Sequence, residues 1–121
     1  MREILFRGYN KIQNNWYYGM LDKFDNKYFI NDGSGTKTFV EEDSIGQYTG
    51  VKDENDKEIY EGDILNWDVD AYGYVKMING SWRICPAFLI VKEYYIGELA
   101  EKAKVIGNIY EETKKNKNWN T

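Results

Sequence analysis

The sequence contains no histidine, a single cysteine and a single proline among its 121 residues. Without histidine, no side chain has an unperturbed pKa suited to acid–base chemistry near neutral pH. One cysteine cannot form an internal disulfide, and no His and Cys set is present for a zinc site. A nucleophilic Cys85 would need a base such as histidine, so we interpret it as a buried structural thiol. These absences argue against an enzyme, and we expect neither catalytic residues nor a cofactor.

Long apolar runs and an excess of positive charge are also missing. No stretch approaches the ~18 apolar residues of a membrane span, and no signal-peptide core follows the first residues. The 20 acidic side chains outnumber the 16 Lys and Arg, which gives a net charge of −4. A nucleic-acid-binding domain usually has a basic face, so this charge disfavours such a partner unless a local patch exists. We expect a cytoplasmic protein that does not bind membranes.

Short strand patterns separated by glycine-containing turns fill most of the chain, which predicts a mainly β fold, either a small barrel or a sandwich. Residues 3–9 and 16–21 are rich in strand-favouring side chains and predict an antiparallel hairpin. Residues 28–30 and 36–40 flank a turn with two glycines and predict a second strand pair.

The clearest local signal is the Asn79-Gly80 dipeptide, which lies between two segments of alternating apolar residues. Asn-Gly is favoured in two-residue hairpin turns because both residues tolerate positive φ. The pattern therefore predicts that Trp82 and Ile84 on the returning strand face Val75 and Met77.

One helix is predicted near the C-terminus. Ile96, Leu99, Ala100 and Ala103 recur with the spacing of a single helical face. Residues 105–110 then predict a last strand, and the polar residues that follow predict a mobile tail.

Aromatic side chains are the one clear excess, with 4 Trp, 11 Tyr and 5 Phe. Such residues fill small β cores, stack on the bases of single-stranded nucleic acid, or anchor protein interfaces. Twenty exceed the need of one small core, so we expect some on an exposed patch or subunit interface. The acidic charge favours a protein interface, and the candidate partner-binding residues are Tyr48, Trp67, Tyr72 and Trp82.

Two acidic groups raise the question of a metal site. The run at 53–58 fails the EF-hand spacing at its fifth, sixth and twelfth positions, so we interpret it as a solvated turn. Asp68 and Asp70 would share a strand face, and together with Asp63 they could bind magnesium for phosphoryl chemistry. Solubilising charges at a strand end are the simpler interpretation, and the metal hypothesis stays open.

Four segments, residues 2–9, 45–53, 57–64 and 105–111, resemble the YopX family of phage and prophage proteins. The central pair, with Gly-Gln-Tyr-Thr-Gly followed by Ile-Tyr-Glu-Gly-Asp, carries the most specific part of the resemblance. The resemblance implies a phage-encoded, mainly β protein with an SH3-like barrel element, and it implies no catalytic residues.

The expected architecture is a single compact domain, a small antiparallel β-barrel with an SH3-like element. In it a β-hairpin region at 1–44 packs on the barrel at 45–111, which includes one short C-terminal helix, and 112–121 form a flexible tail. The expected function is that of a non-catalytic module, itself a homo-oligomer, that binds a phage or host protein. The alternative hypotheses are an accessory protein that binds single-stranded nucleic acid by aromatic stacking and, ranked last, a metal-dependent hydrolase.

Overall fold

A computed structural model describes residues 5–86 and 93–115 and confirms a mainly β chain. The chain divides into two compact units, Met1–Tyr48 and Thr49–Thr121. The strands form two antiparallel sheets. Within the described ranges neither sheet forms a closed barrel, so the structure supports the β class without the predicted barrel.

Four strands and a short 3₁₀-helix form most of the N-terminal unit. The strands are β1 (Phe6–Asn10), β2 (Asn15–Phe24), β3 (Lys27–Asn31) and β4 (Lys37–Val40), followed by the 3₁₀-helix Glu42–Ser44 and the start of β5 (Gly46–Lys52). Their order is β4-β3-β2-β1-β5, and every pair is antiparallel. Both predicted strand pairs, β1 with β2 and β3 with β4, are confirmed.

The core of this unit is small and lies where β4 approaches β1. Ile30 and Val40 are each 1% exposed. A Cβ atom on Gly8 would lie 2.6 Å from the Val40 side chain, so only glycine permits this approach. The Glu41 N–H donates to the Tyr9 carbonyl at 2.9 Å and fixes the end of β4 against β1. Ile30 and Val40 thus lie on the same face of the sheet, and their side chains form the core of this unit.

The C-terminal unit contains the rest of β5, six further strands and the helical segments. In chain order these are β6 (Glu58–Tyr60), β7 (Asp63–Asp68), β8 (Ala71–Ile78), β9 (Ser81–Pro86), β10 (Tyr94–Tyr95), α1 (Ile96–Leu99), the 3₁₀-helix Ala100–Lys102, β11 (Lys104–Asn108) and α2 (Ile109–Lys115). Five of these strands form an antiparallel sheet in the order β10-β9-β8-β7-β11.

The predicted Asn79-Gly80 hairpin is confirmed in both turn and register. The two residues have φ values of 50° and 82°, as a turn matched to strand twist requires. Val75 lies opposite Ile84 and Met77 lies opposite Trp82 across β8 and β9.

The core of the C-terminal unit joins the sheet to the predicted helix. The face expected from the sequence is buried along α1 and the residues that follow, which confirms the helix. Buried side chains from β6, from the five-stranded sheet and from the helical segment form one cluster: Ile59, Leu65, Val75, Ile84, Ile96, Leu99, Ala100 and Ala103.

The chain differs from expectation after Asn108, where the predicted strand 105–110 ends early and α2 begins. The Asn108 Oδ1 accepts the Glu111 N–H at 2.9 Å, and its Nδ2 donates to Glu111 Oε1 at 2.6 Å. This reciprocal capping satisfies groups at the helix start and outweighs the strand preference of Ile109 and Tyr110. Residues 112–115 are helical, and the rest of the predicted flexible tail lies outside the described residues.

Candidate protein-binding surface

Two of the predicted partner-binding residues, Trp67 and Trp82, support the core of the C-terminal unit. Both side chains are partly buried and pack against the hydrophobic cluster. The Trp67 ring also contacts Tyr94 edge to face, with 5.8 Å between ring centroids. Much of the area of these two indoles therefore stabilises the fold.

The other two predicted residues, Tyr72 and Tyr48, lie elsewhere. Tyr72 pairs with Asn66, whereas Trp82 pairs with Met77, and alternation along β8 puts Tyr72 and Trp82 on opposite faces of the sheet. Tyr48 belongs to the N-terminal unit and is half-buried. The structure therefore does not place Tyr72 and Trp82 on one face, and the role of all four residues in partner binding stays a prediction.

The three aspartates of the metal hypothesis have separate surroundings. Asp63 is 1% exposed, and its Oδ2 accepts the Tyr60 N–H at 2.8 Å. Asp68 is exposed and accepts the Val69 N–H at 2.7 Å, while Asp70 occupies a turn with a φ of 56°. Among residues 5–86 and 93–115, no three or more His, Cys, Asp or Glu side chains are grouped to hold a metal ion. The structure thus does not assemble the proposed magnesium site.

The run at 53–58 forms the expected turn, with Glu54 to Lys57 exposed, but Asp53 at its start is buried and anchored. Asp53 is 7% exposed; its Oδ1 accepts N–H groups from Asn55 and Lys57 at 2.8 and 2.9 Å. Its Oδ2 accepts the Val105 N–H at 2.9 Å, which ties the turn to β11. Burial alone would raise the pKa of Asp53, but the hydrogen bonds from Val105, Lys57 and Asn55 hold that pKa below its ordinary value.

Other residues of the segments 45–53 and 57–64 also form hydrogen bonds that connect strands. The Thr49 hydroxyl donates to the Ile59 carbonyl at 2.8 Å. The Gly62 N–H donates to the Val75 carbonyl at 2.9 Å, and the Gly62 carbonyl accepts the Ile109 N–H at 2.8 Å. These hydrogen bonds give the segments 45–53 and 57–64 a structural role.

Cys85 is half-buried and lies opposite Tyr74 in the β8–β9 register. Burial raises the pKa of the Cys85 thiol above its ordinary value, which disfavours the reactive thiolate. This environment agrees with a structural thiol, although the side chain is less buried than expected.

A surface that the sequence analysis missed lies on strands β2, β3 and β4. Asp22 pairs with Phe29, and Phe29 pairs with Phe39, so these side chains share one face. Alternation along the strands adds Met20, Phe24 and Lys37 to the same face. We call this set the β2–β4 face: Met20, Asp22, Phe24, Phe29, Lys37 and Phe39.

The β2–β4 face leaves large apolar side chains in water. Phe24 is 77% exposed, Met20 is 62% exposed and Phe39 is 36% exposed. The Phe29 and Phe39 rings meet edge to face at 6.1 Å, which makes the apolar surface continuous across two strands.

A cavity of about 300 Å³ opens at this face, and its lining residues are Asp22, Lys23, Phe24, Phe29 and Lys37. The Lys37 ammonium lies 3.3 Å from an Asp22 carboxylate oxygen at its edge. The site thus combines aromatic walls with a charged rim and can take an apolar side chain from a partner.

The sequence held a signal for this face. Met20, Asp22 and Phe24 alternate along one segment, and Asp25-Asn26 at its end forms a turn with φ values of 53° and 62°. The extended β2 and its register with β3 follow from that turn. The pattern is carried by Phe and Met, whereas the predicted binding residues are all Trp and Tyr.

The fold and this surface define a small, mainly β protein with an exposed apolar face in its N-terminal unit. The family model described as YopX protein matches residues 5–115, so the chain belongs to the YopX family. The crystal structure of protein EF1440 from Enterococcus faecalis is similar, with 23% sequence identity and a TM-score of 0.55. That match covers 93% of this chain and 96% of the other, and it establishes a shared fold. No curated protein matches the chain.

A helix that crosses a bilayer must be long and apolar, and this requirement applies to the helices of the protein. None in the part of the chain that the structure describes is long and apolar enough to cross a membrane.

Proposed function

We propose that this YopX-family chain is a non-catalytic protein-binding module, encoded by a phage or prophage, that acts in the host cytoplasm. The observation that carries the proposal is the β2–β4 face. Single exposed apolar residues are common, but contiguous apolar patches mark interaction sites. Burying Phe24 alone against a partner would contribute about 1.5–3 kcal/mol.

The character of the exposed residues supports a protein partner. Phenylalanine contributes large apolar area, and Met20 can adapt its flexible thioether to an uneven surface. The side chains considered for metal binding or nucleophilic attack are those of Asp53, Asp63 and Cys85. The two carboxylates accept backbone N–H groups, and burial raises the pKa of the Cys85 thiol. Base stacking by Trp67 and Trp82 is less favoured because both indoles pack against the core.

Two finer features belong to the same proposal. Residues 45–111 form an SH3-like element, which the succession of short antiparallel strands β5 to β9 supports. The protein also self-associates as a homo-oligomer, for which the exposed apolar side chains of Val69 and Ile106, outside the β2–β4 face, are the supporting observation.

Affinity capture from cells that carry the prophage tests the binding function. Tagged wild-type protein is compared with Phe24→Ser and with Ile12→Ser, since Ile12 is 87% exposed but belongs to the β1–β2 turn. We expect the wild-type chain to capture one partner protein in stoichiometric amount, with or without nuclease. The Ile12→Ser variant should still capture that partner, and the Phe24→Ser variant should not. The purified pair is then titrated by calorimetry.

Two outcomes would count against the proposal. A partner that Phe24→Ser retains at full affinity would remove the β2–β4 face from the interaction. Partners that vanish on nuclease treatment would instead favour the single-stranded nucleic acid hypothesis, which predicts salt-sensitive oligonucleotide binding.

A further inference from the structure

We propose that the cavity on the β2–β4 face binds an acidic segment of the partner, with one large apolar side chain of that segment inserted beside Phe24 and Phe29. This inference rests on the proposed function and adds the chemistry of the partner. It follows from the charge around the cavity, from the weakness of the existing ion pair and from the exposure of the aromatic wall.

The charge around the cavity differs in sign from that of the whole chain. On the β2–β4 face the cavity is lined by Lys37 and by one acidic residue, Asp22, whereas the chain as a whole carries a net charge of −4. Lys27 is exposed and lies directly opposite Phe24 in the β2–β3 register. A partner segment with carboxylates therefore meets a locally basic rim, and a basic segment meets repulsion.

The rim lysines remain able to pair with a partner. The side chains of Lys37 and Asp22 are 58% and 40% exposed, so their ion pair lies in water and contributes little. Lys27, the other lysine of this face, is exposed to water. A carboxylate of the partner can accept a charge-assisted hydrogen bond from the Lys37 ammonium.

The apolar part of the site defines the anchor. Phe24 is 77% exposed and Phe29 is half-buried, so the wall of the cavity is apolar surface that the unbound protein leaves in contact with water. A Leu, Ile, Met or Phe side chain would cover it, in the manner of an interface hot spot surrounded by a polar rim.

The test is a selection from a library of short random peptides displayed on yeast, performed with the full-length protein as bait. We expect the enriched peptides to carry net negative charge around one large apolar residue. Synthetic copies of these peptides are titrated by fluorescence anisotropy at low and at high salt, and we expect weaker binding at high salt.

Matched variants separate the charge from the apolar wall. Phe24→Ser should raise the Kd of the enriched peptides by about 10-fold or more. Lys37→Glu should raise it by about 5-fold, whereas Lys76→Glu makes the same charge change at an exposed site in the C-terminal unit and should leave it unchanged. Circular dichroism melts establish that all three variants fold.

Four other results of the peptide selection and titration would overturn the acidic partner, the peptide ligand or the binding face. Enriched peptides that are neutral or basic but depend on Phe24 would overturn the acidic partner and leave the binding face in place. Failure to enrich any peptide would overturn this inference, while the capture experiment still decides the proposed function. A wild-type dimer that dissociates in Phe24→Ser would identify a second copy of the chain as the occupant. Peptides that bind Phe24→Ser as tightly as wild type would remove the face itself.

Discussion

Replacing Asp53 by Asn should destabilise the C-terminal unit through loss of hydrogen bonds that water cannot replace. The wild-type carboxylate accepts three backbone N–H groups, from Asn55, Lys57 and Val105. Asparagine keeps a single acceptor oxygen, so an NH₂ group must face either the Val105 N–H or the turn. The residue is only 7% exposed, and the opposed donor would stay unsatisfied.

The magnitude follows from the strength of hydrogen bonds to a charged group. The lost bond contributes about 1.5–3 kcal/mol. The remaining bonds weaken because a neutral acceptor binds roughly half as strongly. We therefore expect a loss of about 2–4 kcal/mol in the free energy of unfolding, which lowers Tm by about 10–20 °C.

The effect should depend on pH with a defined sign. The pKa of Asp53 in the folded chain lies below its ordinary value of 3.8, so the carboxylate stabilises the fold at every pH above that value. This stabilisation is lost as pH falls through 3.8 and then through the folded pKa. The stability gap between wild type and Asp53→Asn should thus be constant above about pH 5 and shrink below pH 4.

Urea denaturation at several pH values measures the gap, and amide hydrogen exchange at Val105 locates it. Asp56→Asn is the matched control, because Asp56 belongs to the same turn but its side chain is 85% exposed. That variant should change stability by less than about 0.5 kcal/mol. Equal stability of wild type and Asp53→Asn at neutral pH, or a gap that widens in acid, would refute the reasoning.

Three further changes test the packing and capping of the C-terminal unit by thermal denaturation. Gly73→Ala would place a Cβ atom 2.3 Å from the Cys85 carbonyl oxygen, so we expect a loss above about 2 kcal/mol; a stable variant would show that the strands can separate there. Gly97→Ala has open space in α1 and should stabilise the protein by about 0.5–1 kcal/mol; a loss would contradict the helix geometry. Asn108→Ala removes the cap at Glu111 and should cost about 1 kcal/mol, with no change expected if α2 did not form in solution.

The sequence was informative where one local rule decides the structure. Asn79-Gly80 fixes its hairpin because few other residues accept two successive positive φ values, and the register of β8 and β9 follows. The helix face at Ile96 and Leu99 was readable for a similar reason, since its period differs from that of the surrounding strands.

Long-range contacts explain what the sequence did not reveal. Asp53 and Val105 are separated by 52 positions, so no local pattern shows that the solvated turn is anchored through Asp53. Alternation likewise shows that Trp67 and Leu65 share a face but not that this face is the core one. The aromatic residues chosen as binding candidates were therefore partly core residues.

The segments that carry the family resemblance and the proposed binding face occupy different parts of the chain. Thr49, Asp53, Gly62 and Asn108 lie in those segments, and each holds backbone in place. The β2–β4 face lies between residues 20 and 39, outside all four segments. Since its exposed side chains add little to folding, this face can change in sequence without loss of the scaffold.

This separation predicts opposite effects of substitution in the two regions. Phe24→Ser should change the free energy of unfolding by less than about 0.5 kcal/mol, because a side chain 77% exposed contributes little to the core. Asp53→Asn should destabilise the protein while leaving the chemistry of the β2–β4 face unaltered. Urea titration of both variants, together with peptide binding below their melting temperatures, separates stability from recognition. A Phe24→Ser protein that is markedly less stable would mean that the face is part of the fold, and the binding argument would fail with it.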